Sequence, residues 1–474
     1  MTSFKLPPAL LSSLEGLKGF DKSAFEAIHA SDEQAVSVRL NPKKWKILKA
    51  DEKAGGMISQ SIAESQKVPW SSYGYYLPSR PFFTQDPHLH AGLYYVQEAS
   101  GLFLEQAIRQ SVDLNNSIRV LDLCAAPGGK STLLQSIISV ESLLVSNEVI
   151  KTRATILLEN MIKWGPHNVI VTNNDPADFS RLPNFFDVMI IDAPCSGSGL
   201  FRRDPEAIGE WSEANVKLCS QRQQRILAEA WPALKEDGLL VYCTCSYSKE
   251  ENEDIVDWIL GQLAFEPIQL SLDPNWNIVE SISDRHQGYG YRFYPDQTRG
   301  EGFFLACLRK KNGGTFSFPK FKKPGWESVS SLQEKEISEY LVNEFPLKYS
   351  RQGDLVYAFP ANLVQDFNVV HQNLYLKKAG ILLGKLLQKE LIPEQDLATS
   401  CLAGTLFQRI SLNNEQAIKY LRKEDFNLES NIKGWALVEY LGLPLGWIKI
   451  LQSRFNNYYP RNWRIMQSMA DLSE

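Results

Sequence analysis

From residue 118 the chain settles into an alternation of short apolar runs and longer segments with helical spacing. IRVLDLC, SLLVSNEV, NVIVTNND, FDVMIIDAP and GLLVYCTC read as five strands. KSTLLQSII, TRATILLENMIKWG and NVKLCSQRQQRILAEAWPALKEDG read as the helices between them, the last running to the glycine of its closing Asp-Gly. Apolar strands alternating with helices predict a mostly parallel sheet covered on both faces, an α/β class. In such sheets ligands sit at the carboxyl ends of strands. Residues 1–105 mix short helical patterns with loops. KKNGGTFSFPKFKKPGW (310–326) is rich in Gly, Pro and Lys and reads as a linker. WALVEYLGLPLGWIKIL, near the end, reads as two apolar runs around a Gly-Leu-Pro-Leu-Gly turn. The expected division is 1–105, 106–312, 313–394 and 395–474.

With 474 residues the chain exceeds one core, and 44% hydrophobic with 22% charged residues is ordinary for a globular protein. Seven cysteines, odd in number and widely spread, suggest no disulfide framework and fit a reducing cytoplasm. MTSFKLPPALLSSLEG lacks the basic start and apolar stretch of a signal peptide, and no run of about 18 apolar residues predicts a membrane span. The net charge of −5 argues against wholesale nucleic-acid binding. Basic residues nevertheless outnumber acidic ones after residue 311, which leaves room for a local basic face.

The candidate chemistry lies at the strand ends. DLCAAPGGKS places Cys124, Ala125, Ala126, Pro127, Gly128, Gly129 and Lys130 between a strand and a helix. Glycines admit a ligand close to the backbone, and the helix start offers free N–H groups. A phosphate loop would need glycine where Cys124 stands, and the dinucleotide fingerprint is absent. Glu148 ends the second strand, where an acid can hold ribose hydroxyls, and Asp175 ends the third, where it can accept from the amine of adenine. Together these favour an adenosine cofactor without phosphates, S-adenosylmethionine. Arg153 is placed to touch it.

IIDAPCSGSG ends the fourth strand with Asp192, Pro194 and Cys195, where amine methyltransferases carry a Pro-Pro-aromatic grip. A thiol there suggests a carbon acceptor activated by covalent attack, such as carbon 5 of a pyrimidine. That chemistry needs a thiolate for carbon 6, an acid near N3 and a base for the final proton. Asp192 suits the N3 role if its surroundings keep a proton on it. Two thiols compete for the attack, Cys195 and one of the pair in VYCTCS. Cys243 and Cys245 would face the same side of a strand, but no partner set for zinc accompanies them, so no metal is expected. Cys243 reads as a small apolar residue, and Lys130 is the candidate cation beside Cys245.

SVRLNP, HAGLYYVQEAS, DLCAAPGGKS, Asn147-Glu148, DAPCSGSG, VYCTCS and GEGFFLACLRK occur in the order found in the Nol/Nop/Sun family of RNA 5-methylcytosine methyltransferases, which this sequence resembles over residues 35–310. The resemblance implies a Rossmann-like S-adenosylmethionine-dependent methyltransferase core behind a small N-terminal domain. It implies that Cys245 is the nucleophile and Cys195 the group that assists product release; DNA cytosine methyltransferases attack with the fourth-strand cysteine instead. Cys243 stands where the family commonly has Ser, and Asp296 where His is expected.

KGWALVEYLGLPLGWIKI and YYPRNWRI resemble a PUA-like RNA-binding extension, as in the branch of the family that acts on 16S rRNA near the decoding region of an assembled small subunit. RNA is thus the expected partner, with neither DNA nor a membrane, for a monomer. The target cytosine must be flipped out at a cost of a few kcal/mol. Lys449, Arg454, Arg461 and Arg464, set among five aromatics, and Arg203 with Pro205 are candidate RNA contacts. A tRNA methyltransferase with the same chemistry, or a non-catalytic assembly factor, are the alternatives.

Overall fold

The computed structural model describes residues 5–31, 33–50, 56–319, 326–342, 344–387, 390–428, 433–452 and 454–466. Its centre is a ten-stranded sheet. The first five strands are β1 (Arg119–Asp122), β2 (Leu143–Asn147), β3 (Val169–Thr172), β4 (Phe186–Asp192) and β5 (Leu234–Thr244). They are joined through the helices α1 (Gly129–Ile137), α2 (Lys151–Trp164) and α3 (Glu213–Ala230). These strands are parallel in the order β3-β2-β1-β4-β5. The chain reverses direction between β1 and β4, the switch point where an open α/β sheet leaves a crevice for a ligand.

The sheet is less parallel than the sequence pattern suggests, because half of its strands are antiparallel additions. β6 (Phe265–Ile268), β7 (Val279–Ile282), β8 (Tyr289–Phe293) and β9 (Phe303–Lys310) extend it beyond β5. On the opposite edge β10 (Leu376–Ala379) pairs with β3. One strand of the stretch 313–394 therefore joins the central sheet, and Phe359, Phe367 and Val370 pack on its core, while the other strands between Glu327 and Pro393 form a five-stranded sheet of their own. The segment read as a linker is itself packed where it is described. Phe316 packs edge-on against Phe185, and the Arg119 guanidinium lies 5.6 Å from the Phe316 ring and 5.1 Å from that of Phe318. Residues 320–325 of that segment lie outside the described residues.

Two further boundaries differ from the pattern. α3 stops at Ala230, not at Gly238, because Pro232 lacks the N–H that would continue it. Leu234 already starts β5. The late hairpin pairs Gly434–Tyr440 with Leu443–Ile450 and turns at Leu441-Gly442, both at positive φ (47° and 75°). That is the primed geometry favoured between twisted strands, and it puts Pro444 inside a strand.

The ends of the chain meet. Val38, Leu40 and Leu93 of the N-terminal sheet share one buried cluster with Leu412, Leu445 and Ile448 of the C-terminal sheet. Of the five tail aromatics, Trp447 and Tyr459 are buried, Phe455 and Trp463 are half-buried, and Tyr458 is exposed. Among the described residues no helix is long and apolar enough to cross a membrane.

Candidate active site

β1 ends in Asp122, and the chain crosses the sheet edge through Cys124–Gly128 before α1 begins at Gly129. Gly128 sits at φ 117°, a backbone region that a side chain would strain. The loop is held from outside by side chains of α2. Arg153 donates to Ala126 O at 2.9 Å and Asn160 to Pro127 O at 2.8 Å. From the N-terminal sheet the buried Arg39 reaches Gln97 at 3.0 Å and Thr132 of α1 at 2.6 Å. Asn160 and Arg39 escaped the sequence reading, although Arg39 lies within SVRLNP.

Glu148 is buried beyond β2. One oxygen accepts from Ile150 N at 2.8 Å and the other lies 3.5 Å from Arg153. Arg153 thus joins the acid to the glycine loop. Asp175 ends up with a local duty, since its carboxylate accepts from Ala177 N and caps the turn Pro176–Arg181. Asn147 ties three strand ends together, donating to Leu123 O and Asn174 O and accepting from Thr172 Oγ1.

The Asp122 carboxyl is fully buried; one oxygen accepts from Ser131 at 2.6 Å and the other has no protein partner. An unpartnered buried acceptor, a glycine cradle and a free helix start fit the polar groups of S-adenosylmethionine. Burial pushes Asp122 up from 3.8 to about 7, against the Ser131 hydrogen bond. A carboxyl raised in the fold stabilises it fully only below its unfolded value, and that stability drains away as pH rises towards 7. The ligand-free wild type is therefore expected to lose about 2–3 kcal/mol relative to Asp122→Asn between pH 5 and pH 8. Urea unfolding at both pH values measures it, and parallel pH profiles for the two proteins would refute it.

β4 and β5 lie side by side, so their ends bring the chemistry together. Lys130 donates to Asp192 at 2.6 Å, and Asp192 is one-third exposed. Burial lowers the Lys130 ammonium pKa, but the Asp192 carboxylate outweighs it and holds the proton on firmly. Lys130 therefore serves Asp192, where the sequence reading gave it to Cys245. What stands against the Asp192 carboxyl is the Lys130 ammonium.

Just past the strand ends, Cys195 Sγ and Cys245 Sγ are 3.0 Å apart, both half-buried. The bond to Cys245, then burial, raise the Cys195 thiol far above its usual range. At that separation one thiol can donate to the other sulfur, and either can be the donor. Gly199 approaches so closely that an added Cβ would lie 2.4 Å from Gly302 O and 2.8 Å from Cys245 O. Cys243 points into the apolar core opposite Leu305. Among the described residues no three His, Cys, Asp or Glu side chains are grouped to hold a metal ion.

Arg203 and Pro205 are exposed beside the catalytic loop, whereas the adjacent Arg202 is buried against Glu301. Arg454, Arg461 and Arg464 are exposed; Lys449 is paired with Glu390 at 3.1 Å.

Three family models match the chain. Residues 6–99 match the N-terminal domain of 16S rRNA methyltransferase RsmF, residues 110–309 match 16S rRNA methyltransferase RsmB/F, and residues 407–465 match the methyltransferase RsmF PUA domain. The ribosomal RNA small subunit methyltransferase F of Shewanella piezotolerans is 30% identical over 413 residues, 83% of this chain and 84% of that protein. Its counterpart from Shewanella loihica is 30% identical over 423 residues, 86% and 85% of the two chains. Among solved structures, a methyltransferase homologue from Pyrococcus horikoshii aligns with 64% of this chain and 100% of its own, at 27% identity and a TM-score of 0.50. NSun6 from the same organism shares the fold at a TM-score of 0.51 and 18% identity, over 65% of this chain and 98% of its own.

Proposed function

The chain belongs to the RsmB/F family of 16S rRNA methyltransferases, and on that premise we propose that it methylates carbon 5 of a cytosine in 16S rRNA through a covalent bond from Cys245 to carbon 6. The observation that carries this reading is the pair of thiols 3.0 Å apart beside the Lys130–Asp192 ion pair. Residues 122–130 with Glu148 and Arg153 are the groups that would hold S-adenosylmethionine, and Asp175 would face its adenine end. When bound, that cofactor supplies the electrophilic methyl group.

The protein's own part begins with a proton shared between two sulfurs. With that proton held on Cys195, Cys245 is the nucleophile. Addition to carbon 6 sends electron density into the ring, where N3 takes a proton from the Asp192–Lys130 pair, and carbon 5 becomes nucleophilic. Once Cys245 is bonded to the base, Cys195 loses its hydrogen-bond partner. The Cys195 thiol then gives its proton up to solvent, its thiolate accepts the carbon-5 proton after methylation, and the N3 proton returns to the Asp192–Lys130 pair. Expulsion of Cys245 restores the aromatic ring and frees 5-methylcytosine.

RNA recognition falls to the exposed Arg203, Arg454, Arg461 and Arg464, with Tyr458 as a stacking surface. The substrate would be presented as a folded small subunit, in the cytoplasm, to a single copy of this protein. RNA carrying tritium at carbon 5 of its cytosines tests the chemistry. Each methyl group transferred from labelled cofactor is expected to release one tritium to water, and the digest to contain 5-methylcytidine. Methylation without tritium release would place the methyl on another atom and end the proposal.

A further inference from the structure

Two cysteines on separate loops keep a 3.0 Å separation only if something holds the loops in register. Each thiol is followed by a serine, and both serines end on one carboxylate. Glu251 Oε1 accepts from Ser196 N at 2.8 Å, and its Oε2 accepts from Ser196 Oγ at 2.5 Å and from Ser246 Oγ at 2.6 Å. Gln223 of α3 completes the set. It donates to Glu251 at 3.2 Å and to Pro194 O at 3.0 Å, on the other side of Cys195. The main chain of Glu251 is fixed in turn, because Tyr242 of β5 donates its hydroxyl to Glu251 O at 2.6 Å. Glu251 itself is completely buried.

Burying a carboxylate is costly unless its acceptor sites are filled. Here all the side-chain donors come from the loop that carries Cys195, the loop that carries Cys245, and the helix braced against the first of them. A carboxylate needed only to anchor its own turn has no use for donors from both cysteine loops. We infer that Glu251 is the positioning residue of the reaction, setting the relation of Cys195 to Cys245 by binding the residue that follows each. Its neighbour Asn252 acts on the same segment from the other side, accepting from Thr244 Oγ1 at 2.6 Å and donating to Ser246 O at 2.7 Å. The inference rests on Cys195 and Cys245 as the working pair.

The test reads thiol geometry apart from turnover. Phenylarsine oxide closes a ring on two adjacent thiols: two As–S bonds form, and the oxygen leaves as water with both thiol protons, without change of oxidation state. The wild type is expected to bind one arsenical that Cys195→Ala does not bind. Glu251→Ala is expected to lose this capture and to lower kcat by about 100-fold, the cost of a misplacement near 1 Å, at unchanged KM for S-adenosylmethionine. Glu251→Gln retains one carbonyl acceptor and an amide that the serine hydroxyls can accept, and is expected to recover most of both.

Capture by Glu251→Ala at the wild-type level would overturn the positioning role while leaving the thiol pair intact. Failure of the wild type to capture, or capture by Cys195→Ala, would overturn the pair itself. Should Glu251→Ala not fold, Ser196→Ala/Ser246→Ala deletes the two hydroxyl donors and keeps the carboxylate. Loss of capture in that variant supports the role and intact capture refutes it.

Discussion

Cys245→Ala is expected to bring methylation down to the enzyme-free level, a loss of about 1,000-fold or more, and to form no covalent complex with RNA. Cys195→Ala is expected to behave differently, forming a complex that survives denaturing electrophoresis and accumulates with time. The contrast follows from which thiol attacks. The two sulfurs lie 3.0 Å apart, so one can bond carbon 6 while the other reaches the carbon-5 proton, and the proposed assignment gives the attack to Cys245. Without Cys195, attack still has its nucleophile, whereas the carbon-5 proton has no acceptor and the adduct cannot collapse. Denaturing electrophoresis of both variants after incubation with labelled RNA and S-adenosylmethionine decides the assignment. An adduct in Cys245→Ala and none in Cys195→Ala would exchange the roles and give the order used by enzymes that attack from the fourth strand.

The residues needed for this argument were legible in the sequence because chemistry and periodicity coincide at strand ends. The run of VMII in β4 is wholly buried, so an apolar run followed by Asp-Ala-Pro-Cys marks both the strand and the point where it leaves the sheet. The sequence put Cys243 and Cys245 on one face of a strand; the fold keeps Cys243 in the core and ends the strand at Thr244, with Cys245 beyond it. Glu251 was not legible. It stands in KEENED beside three other acids, and only the fold reveals that this one lies under the cysteine loops while Glu250 and Asp254 stay near the surface. Arg39 was hidden for a related reason: a cation on a half-apolar strand looks solvated until the helix that accepts its hydrogen bonds arrives from 90 residues away. The added antiparallel strands escaped because β7 and β8 alternate only weakly, and β10 is a four-residue edge whose partner lies two hundred positions earlier. Such pairing depends on tertiary context that no local window contains.

Asp192→Ala is expected to reduce methylation by about 100- to 10,000-fold, the usual span for a lost acid–base group, and to prevent the adduct from forming at all. Thiolate addition to carbon 6 leaves the ring with charge that N3 must discharge. Asp192 and the ammonium it holds at 2.6 Å are the groups proposed to supply the proton there. A defect at this step lies before the covalent complex, and a defect at Cys195 lies after it, so the order of events can be read from a double variant. Asp192→Ala/Cys195→Ala is expected to lose the complex that Cys195→Ala accumulates, because the step that Asp192 serves comes first. Calorimetry with S-adenosylmethionine separates this from a failure to bind the cofactor, since Lys130 sits on α1 and could disturb that loop once its partner is gone. An affinity within about threefold of wild type, too small a change to explain a 100-fold loss of rate, is the expected result. If the double variant still accumulated the complex at the rate of Cys195→Ala, the proton for N3 would have to come from elsewhere, and Asp192 would be left as the anchor of Lys130 alone.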